Sequence, residues 1–227
     1  MTNEDRIKFI ELIAGCAVPI SHLHNNMIFP SVCIAQAIKE TGFGKSELMM
    51  KYNAPFGVKV GKSKYHFGSG WRDQSYSAKT KEYHSGAYQV KTDDFRAYES
   101  IYAATMDYFD LITTAGRYKA ALYATDYKEC IRAIAPSYAT AEAKDHSYSN
   151  SIIQIIEQWG LTKYDSDITT VGIYTTSDLN LRLGDNTSTD IITVIPKGMR
   201  IKLRGFVPVT YNGLDGYVSA KFLEIRG

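Results

Sequence analysis

One stretch of the chain, SVCIAQAIKE at residues 31–40, constrains the fold more than any other. Apolar and small residues fall on nearly every side of a helix built from it, so such a helix has no face suited to water. Pro30 occupies a favoured first helical position, and the TGFG segment after Glu40 provides glycines that end a helix. We therefore predict a helix that runs through the middle of a folded domain.

The flanking segments predict an α+β domain around this helix. Residues 3–14, 100–111, 117–124, 126–135 and 143–159 show helical spacing of apolar side chains, with a further helical turn after Pro19 and an end at Pro136. Residues 57–98 instead show short alternating runs rich in Tyr, Val and Thr, broken by glycines. This pattern is typical of β-hairpins, so we predict a helical domain with an inserted β-hairpin lobe.

A second domain is predicted after the last helix. Helical periodicity is lost at residues 165–170, and the residues that follow form short alternating runs separated by the turn segments GDNTS and YNGLDG. A chain of 227 residues suits two domains, and the final 57 or so residues suit a small all-β barrel. We place the domains at residues 1–165 and 171–227.

Composition narrows the classes of partner. Formal charge is only +2, which gives no general attraction to nucleic acid or to a membrane surface, so we expect neither partner. The acidic start, MTNEDRIKFIELIAG, lacks the basic residues of a secretory signal, and no apolar run is long enough to span a membrane. Cys16, Cys33 and Cys130 lie apart among apolar residues and are expected to be buried free thiols in a reducing compartment.

Glu40 is the first candidate for catalysis. A carboxylate at the end of a helix opposes the helix dipole, and this one ends the most apolar helix of the chain beside small residues that leave room for a ligand. A glycosidase needs a carboxylic acid kept protonated by such an apolar site. The alternative is an ordinary solvated residue at a helix end, and physical reasoning alone leaves both interpretations open.

Four segments in order resemble the glucosaminidase family, glycoside hydrolase family 73. PSVCIAQAIKETGFGKSEL is similar to the family motif AQAxxESGxGxS, with Thr41 replacing serine, and YNAPFGVK is similar to NLFGIK. TKEYHSGAYQVKTDDFRAYES resembles the β-lobe segment that ends in FRxY, and PSYATAEAKDHSYSNSIIQII resembles the closing YATDPxYAxKI motif, with residues 141–143 departing from the Asp-Pro region. The resemblance implies a lysozyme-like fold and cleavage of bacterial cell-wall glycan after N-acetylglucosamine.

The resemblance also implies roles for individual residues. Glu40 is the general acid, and Glu82 of TKEY is the second carboxylate, which activates water or stabilises the oxocarbenium ion. Three aspartates compete for that second role if the hairpin register differs: Asp73, Asp93 and Asp94.

Three further residues are candidates for contact with the glycan. Tyr138 of YAT is expected to orient the N-acetyl group or the water, with a core tyrosine as the alternative. Asn53 and Phe56 are candidates for the groove lining, and packing is the alternative for Phe56. His22 and His24 have no third ligand nearby and are expected to be surface residues. No metal and no cofactor is expected.

The C-terminal segment resembles a bacterial SH3 domain. LNLRLGDNTSTDIITVIPKGMRIKL and YNGLDGYVSAKFLEI follow that family's pattern, although Asp185 follows Gly184 and Phe206 is the nearest residue to the usual tryptophan. The resemblance implies binding to peptidoglycan, including its peptide cross-links, which would concentrate the enzyme at the glycan. A stabilising appendage is the alternative.

These observations together predict an endo-β-N-acetylglucosaminidase acting on peptidoglycan as a monomer. The rivals are a muramidase or lytic transglycosylase of the same fold, and a non-catalytic wall-binding protein. The N-terminal sequence and the single wall-binding module favour a phage endolysin, held in the host cytoplasm until release to the wall, over a domain of a secreted autolysin.

Overall fold

In a computed structural model, the predicted central helix is present as α2, Pro30–Thr41. The structure describes residues 1–24, 27–61, 66–68, 70–84, 87–139, 146–165, 173–174, 177–183, 187–197, 200–201, 206–211 and 214–219, and the backbone alone of residues 80–84, 87–91, 173–174 and 200–219 within these ranges. Every residue of α2 from Pro30 to Ile38 is buried. The helix that lacks a wet face therefore lies inside the domain, as its composition predicts.

Helices surround α2 on several sides, and they alternate with one long hairpin along the chain. The elements of the first unit are α1 Asn3–Leu23, α2, α3 Glu47–Tyr52, β1 Ser75–His84, β2 Ala87–Arg96, α4 Ile101–Thr114, a 3-10 helix Gly116–Tyr123, α5 Tyr127–Tyr138, α6 Ser147–Trp159 and a 3-10 helix Leu161–Asp165. Helices α1, α5, α6 and the last 3-10 helix contact α2 directly. Their inward faces form one continuous core with it.

Two helices continue through prolines where the sequence predicted a break. Helix α1 begins at a capping box, in which Thr2 and Asp5 bond each other's backbone N–H groups at 3.1 and 2.8 Å, and it runs past Pro19 to Leu23. Ile20 and Ser21 just after this proline are fully buried, and Ser21 donates to the carbonyl of Ile28 at 2.8 Å. Burial on the far side of the proline thus outweighs the lost backbone hydrogen bond. Helix α5 likewise includes Pro136.

The predicted β lobe is a single antiparallel hairpin with a short extension. Strands β1 and β2 pair in register from Ser75 opposite Arg96 to His84 opposite Ala87. The backbone N–H groups of Val60 and Arg96 donate to Asp94 and Val58 carbonyls at 2.9 and 2.8 Å, which adds residues 58–60 to the edge of β2. Residues 58–60, which follow α3, therefore pair with the base of the hairpin.

A buried ion pair fixes this base on α4. Arg96, at the end of β2, donates from Nη1 to both carboxylate oxygens of Asp107 at 2.8 and 3.0 Å, and Tyr98 donates to the same carboxylate at 2.7 Å. The side chains of Arg96 and Asp107 are 1% and 0% exposed. The guanidinium lies 4.2 Å from the ring centre of Trp71 and 4.6 Å from that of Phe67. Charge, hydrogen bonds and ring contacts thus hold one guanidinium in place.

The N-terminus of α2 receives its cap from the far end of the first unit. Phe29 at the capping position offers no side-chain acceptor, and the Ser31 N–H donates instead to Asp165 Oδ1 at 2.8 Å. Burial raises the pKa of Asp165 to about 6, against the opposing effect of Ser31, whose backbone N–H donates to it. The ordinary pKa of an aspartic acid is 3.8, so the carboxyl of Asp165 binds its proton more tightly in the folded protein than in the unfolded chain.

This shift predicts a pH-dependent stability difference for Asp165→Asn, which keeps an acceptor for Ser31. Because the folded pKa is raised, the cost of ionising Asp165 is absent at low pH, grows between about pH 4 and pH 6, and is constant above. We expect the variant to match the wild type at pH 4 and to be more stable at pH 7.5, by on the order of 2 kcal/mol. Urea unfolding at both pH values measures the difference.

Asp5→Asn serves as the opposite-sign control for that experiment. The Thr2 hydrogen bonds lower the pKa of Asp5, so its stabilising contribution is present at neutral pH and is lost as pH falls through the folded value. We expect Asp5→Asn to be less stable than the wild type at pH 7.5. Equal destabilisation by Asp165→Asn at pH 4 and pH 7.5 would contradict the assigned shift.

The chain divides into two units, Met1–Ile168 and Thr169–Gly227. The described strands of the second unit form antiparallel pairs: β3 Ile173–Tyr174 with β6 Arg200–Ile201, β4 Leu179–Arg182 with β5 Ile191–Ile195, and β7 Phe206–Tyr211 with β8 Leu214–Ser219. Short antiparallel strands are what the sequence predicted here. In the part of the chain that the structure describes, no helix combines the length and hydropathy needed to cross a membrane.

Candidate active site

Glu40 lies at the C-terminal end of α2, where Gly42 caps the helix and Thr41 hydrogen-bonds the turn that follows. Gly42 adopts a left-handed conformation with φ 58°, and its N–H caps the helix at the carbonyl of Ile38, 2.9 Å away. Thr41 is buried, donates to the Ala37 carbonyl at 2.6 Å and accepts from the Gly44 N–H at 2.8 Å. A hydroxyl is what this turn uses, which explains why threonine can stand where the motif has serine.

The space beside Gly44 is not open to a ligand. A Cβ at this position would lie 2.8 Å from the ring of Phe9, and the backbone has φ 82°. Gly44 therefore permits close packing of the turn on α1. Any room for a ligand beside Glu40 lies elsewhere.

Glu40 combines exposure with a raised pKa. The residue is solvent-exposed, as a group that must reach a polymer has to be. Burial of the carboxyl among protein atoms nevertheless raises its pKa, and this effect outweighs the hydrogen bond from Tyr148 and the charge of Lys39, which both lower it. A carboxylic acid that keeps its proton at higher pH than an ordinary glutamate is suited to general acid catalysis.

A chain of buried polar side chains leads to this carboxyl. Tyr148 on α6 donates to Glu40 Oε1 at 2.8 Å, Gln36 on α2 donates from Nε2 to the Tyr148 oxygen at 3.0 Å, and the Tyr108 hydroxyl on α4 bonds Gln36 Oε1. Gln36 and Tyr108 are fully buried and Tyr148 is 8% exposed. Sequence reasoning missed all three residues. Gln36 could have been recognised from the sequence, because a polar amide within an otherwise apolar helix indicates a buried hydrogen-bond partner.

Tyr138 lies next to this chain. Its ring centre is 6.0 Å from that of Tyr148 in a stacked arrangement, and its hydroxyl donates to the Phe56 carbonyl at 2.6 Å. A phenol has one proton, so the remaining capacity of this oxygen is to accept a hydrogen bond. Tyr138 is partly exposed, and an acceptor in this position suits the N–H of an N-acetyl group or the proton of a water.

The two predicted groove residues have internal partners in this structure. Phe56 is 3% exposed and stacks on Tyr108 with ring centres 4.3 Å apart, so its ring belongs to the core beneath the site. Asn53 ends α3 in a left-handed conformation and donates from its side chain to the Tyr98 carbonyl at 3.1 Å. Contact of either residue with a glycan remains a prediction.

For Glu82, the predicted second carboxylate, the structure describes the backbone alone. Glu82 lies in β1 opposite Gln89, and its side chain is outside the described residues. The three competing aspartates each have a partner: Asp73 binds His66 at 3.1 Å, Asp93 binds Lys59 at 2.7 Å, and Asp94 accepts from Ser77. Glu82 stays the predicted partner of Glu40.

The predicted surface position is wrong for one of the two histidines. His22 is exposed, but the side chain of His24 is only 16% exposed, with Nε2 3.3 Å from Asp110 and its ring against Phe109. Burial lowers the pKa of His24 despite the nearby Asp110. Within the described residues, no group of three or more His, Cys, Asp or Glu side chains is arranged to hold a metal ion.

The three cysteines are unpaired, and two of them are fully buried. Cys33 and Cys130 lie in the core, whereas Cys16 is partly exposed. Burial raises the pKa of the Cys130 thiol to about 12 and raises those of Cys33 and Cys16 as well. A thiol that stays protonated is a poor nucleophile, so these groups have no part in the chemistry of the site.

Comparison with known proteins yields matches over both units. Residues 20–161 match the glucosaminidase family model, described as mannosyl-glycoprotein endo-beta-N-acetylglucosaminidase, and residues 177–224 match that of the bacterial SH3 domain. The catalytic domain of the autolysin Auto from Listeria monocytogenes is similar in structure, with a TM-score of 0.57 and 25% identity over 72% of this chain and 89% of that chain. These matches confirm the predicted α+β, lysozyme-like domain followed by an SH3-like region.

Curated relatives match the first unit. The chain is 33% identical to a probable N-acetylmuramidase of Lactococcus lactis subsp. cremoris over 72% of this chain and 36% of the relative. It is 31% identical to the exo-glucosaminidase LytG of Bacillus subtilis over 69% of this chain and 52% of the relative. The chain thus spans about a third to a half of the length of these relatives. Their names differ over which glycan bond is cut.

Proposed function

The chain belongs to the glucosaminidase family, and on this premise we propose that it is a peptidoglycan hydrolase that cuts the glycan strand after N-acetylglucosamine. The observation that carries the proposal is Glu40, a solvent-exposed carboxyl whose pKa burial raises and whose Oε1 is fixed by Tyr148. A proton donor of this kind is what cleavage of a glycosidic bond requires, because the leaving oxygen departs poorly without a proton.

In the proposed reaction, Glu40 transfers its proton to the bridging oxygen as the bond from that oxygen to the anomeric carbon breaks. The ring develops oxocarbenium character, and a water oxygen adds to the anomeric carbon. The proton released by this water passes to Glu82, or returns to Glu40 if the acetamido group of the substrate first attacks the carbon. The first route inverts the anomeric centre and the second retains it.

Tyr138 has a defined place in this scheme. Its own proton is committed to the Phe56 carbonyl, so its oxygen can only accept. An accepted hydrogen bond from the acetamido N–H would hold that group against the anomeric carbon, and one from water would orient the nucleophile. Both actions position a reactant without any proton leaving Tyr138.

The products of digestion identify which glycan bond is cut. Purified peptidoglycan is digested, the new reducing ends are reduced with borohydride, and the ends are identified by mass spectrometry. We expect N-acetylglucosaminitol ends. N-acetylmuramitol ends would assign the muramidase activity that the Lactococcus relative's name states, and anhydro ends would assign a lytic transglycosylase, so either result would overturn the proposed specificity.

The second unit is proposed to hold the enzyme on its polymer. The match to the bacterial SH3 family over residues 177–224 supports binding to the cell wall, and we propose the wall peptide as its ligand. Tethering raises the local concentration of the catalytic unit at the glycan without adding a contact to the cleaved bond. The proposed acting form is the monomer, because one copy carries both units.

We further propose that the protein serves as a phage endolysin, made in the cytoplasm of the host and released to the wall at lysis. The combination of one catalytic unit and one wall-binding unit supports this role. On expression in a susceptible bacterium, lysis should then wait until the inner membrane is permeabilised. Lysis without permeabilisation would favour a secreted autolysin instead.

A further inference from the structure

Four side chains from three helices form an unbroken hydrogen-bond chain that ends at the proposed acid. The order is Tyr108 on α4, Gln36 on α2, Tyr148 on α6 and Glu40 on α2. Residues 36 and 148 are 112 positions apart in the sequence, and residues 36 and 108 are 72 apart. A buried polar chain of this kind persists only if each member is satisfied, because an unpaired buried group is costly.

The chain has a direction because each phenol carries a single proton. Tyr108 gives its proton to Gln36 Oε1, which leaves the amide Nε2 to donate to the Tyr148 oxygen. Tyr148 must then give its own proton to Glu40 Oε1. In a neutral carboxyl group the carbonyl oxygen is the better acceptor, so this bond favours the proton on the other oxygen, Oε2.

We infer that Gln36, Tyr108 and Tyr148 are positioning residues that keep the catalytic proton of Glu40 on Oε2, the oxygen that this chain leaves open. The inference rests on the proposed role of Glu40 as the acid. The hydrogen bond from Tyr148 to Oε1 restricts rotation of the carboxyl group. The transferable proton then lies on the side away from the buried hydrogen-bond chain. Without the chain, the proton would be shared between both oxygens and the carboxyl would rotate, so a smaller fraction of bound substrate would meet a correctly placed acid.

The groups that act on the titration of Glu40 within the described residues come from three helices. Lys39 on α2 and the Tyr148 hydroxyl on α6 favour the carboxylate, whereas burial disfavours it more strongly. Tyr138 on α5 also interacts with Glu40, whose negative charge contributes to the raised pKa of the Tyr138 hydroxyl. Removal of the Tyr148 hydroxyl deletes one of the two influences that favour the carboxylate, so the pKa of Glu40 should rise further.

Tyr148→Phe is the main test, with the full-length protein and soluble glycan fragments as substrate. We expect kcat to fall about 10- to 100-fold, the loss expected for one hydrogen bond to a carboxyl that becomes charged as it transfers its proton, while KM changes less than about twofold. The alkaline limb of the kcat profile should move to higher pH. Gln36→Met should lower kcat by a smaller factor and leave the limb in place, because Tyr148 can still donate to Glu40.

Tyr118→Phe is the matched control. Tyr118 is 2% exposed in the same core, and its hydroxyl donates at 3.3 Å to the Ser137 carbonyl, outside the chain. We expect its kcat and alkaline limb to match the wild type, with any effect confined to thermal unfolding. A Tyr148→Phe enzyme that behaves like this control, or whose loss of kcat equals its unfolded fraction, would overturn the positioning role.

Glu40→Gln, assayed in parallel, separates this inference from the proposed function. An active Glu40→Gln enzyme would refute the acid assignment and the positioning role with it. An inactive Glu40→Gln enzyme beside a Tyr148→Phe enzyme with wild-type kcat and an unmoved limb would refute the positioning role alone. Loss of kcat in both variants, with the alkaline limb of Tyr148→Phe moved to higher pH, supports both the acid assignment and the positioning role.

Discussion

Glu40→Gln is expected to lower kcat for glycan cleavage by roughly 10²- to 10⁴-fold, the usual contribution of a positioned general acid. The amide has the size of the carboxyl and can still accept the hydrogen bond from Tyr148, so the site keeps its shape. What it cannot do is transfer a proton to the bridging oxygen. The measurement is the rate at which reducing ends appear in purified peptidoglycan.

The pH dependence of the wild-type enzyme gives the same assignment a second test. A general acid works only when protonated, so activity should fall as pH rises through the pKa of Glu40. Because burial raises that pKa, the fall should occur above the range of an ordinary glutamate. An alkaline limb at or below the ordinary value of 4.5 would contradict the assignment.

Glu11→Gln is the matched control for Glu40→Gln. Glu11 is an exposed residue of α1, and the same chemical change there should leave kcat unchanged. Sedimentation with insoluble cell wall should show both variants bound as tightly as the wild type. A Glu40→Gln protein that still cleaves at the wild-type rate would remove Glu40 from the mechanism, and a wild type that binds but never cleaves would favour the non-catalytic wall-binding alternative.

Asp107→Asn is expected to destabilise the first unit by about 3 to 5 kcal/mol, the cost of removing one charge from a buried ion pair. The substitution preserves the shape of the side chain and removes its charge, so the guanidinium of Arg96 stays buried but loses its ion pair with Asp107. Burial raises the pKa of Asp107 despite the bonds from Tyr98 and Arg96, so the neutral amide relieves a cost of ionisation. We expect the lost attraction to the Arg96 guanidinium to outweigh that gain. Urea unfolding followed by circular dichroism measures the loss.

Two comparisons separate the charge effect from a packing effect. The double variant Arg96→Met/Asp107→Leu removes both charges and should recover much of the stability, because a buried ion pair gains little over a well-packed apolar pair. The pair Lys128–Glu157 is about half exposed, with N and O 2.8 Å apart, and Glu157→Gln should change stability only slightly. A loss below about 1 kcal/mol for Asp107→Asn would contradict the argument.

Sequence pattern sufficed for features that depend on neighbours along the chain. The apolar residues of α2 predicted its burial, and Gly42 predicted its end, so the location of Glu40 followed. Local pattern misjudged Pro19 and Pro136. At Pro19, the burial of Ile20 and Ser21 that carries α1 through the proline depends on residues distant in sequence. His24 was misplaced for the same reason, since its partner Asp110 lies on α4.

The hydrogen-bond chain behind Glu40 was beyond sequence reasoning for a physical reason. Tyr108 and Tyr148 occupy ordinary inward positions on amphipathic helices, where an aromatic ring normally serves packing alone. Only the approach of α4 and α6 to α2 gives their hydroxyls partners. Gln36 showed that a polar partner must exist inside the core, but not which side chain would supply it.

The cap that Asp165 provides for α2 bears on how this protein can be divided and recombined. The family match ends at residue 161, four positions before the carboxylate that bonds Ser31. A catalytic module trimmed to that match would lose the cap of its central helix, the helix whose other end holds Glu40. Chimeric proteins that exchange the second unit should therefore be joined after Asp165, so that the first unit keeps its own helix cap.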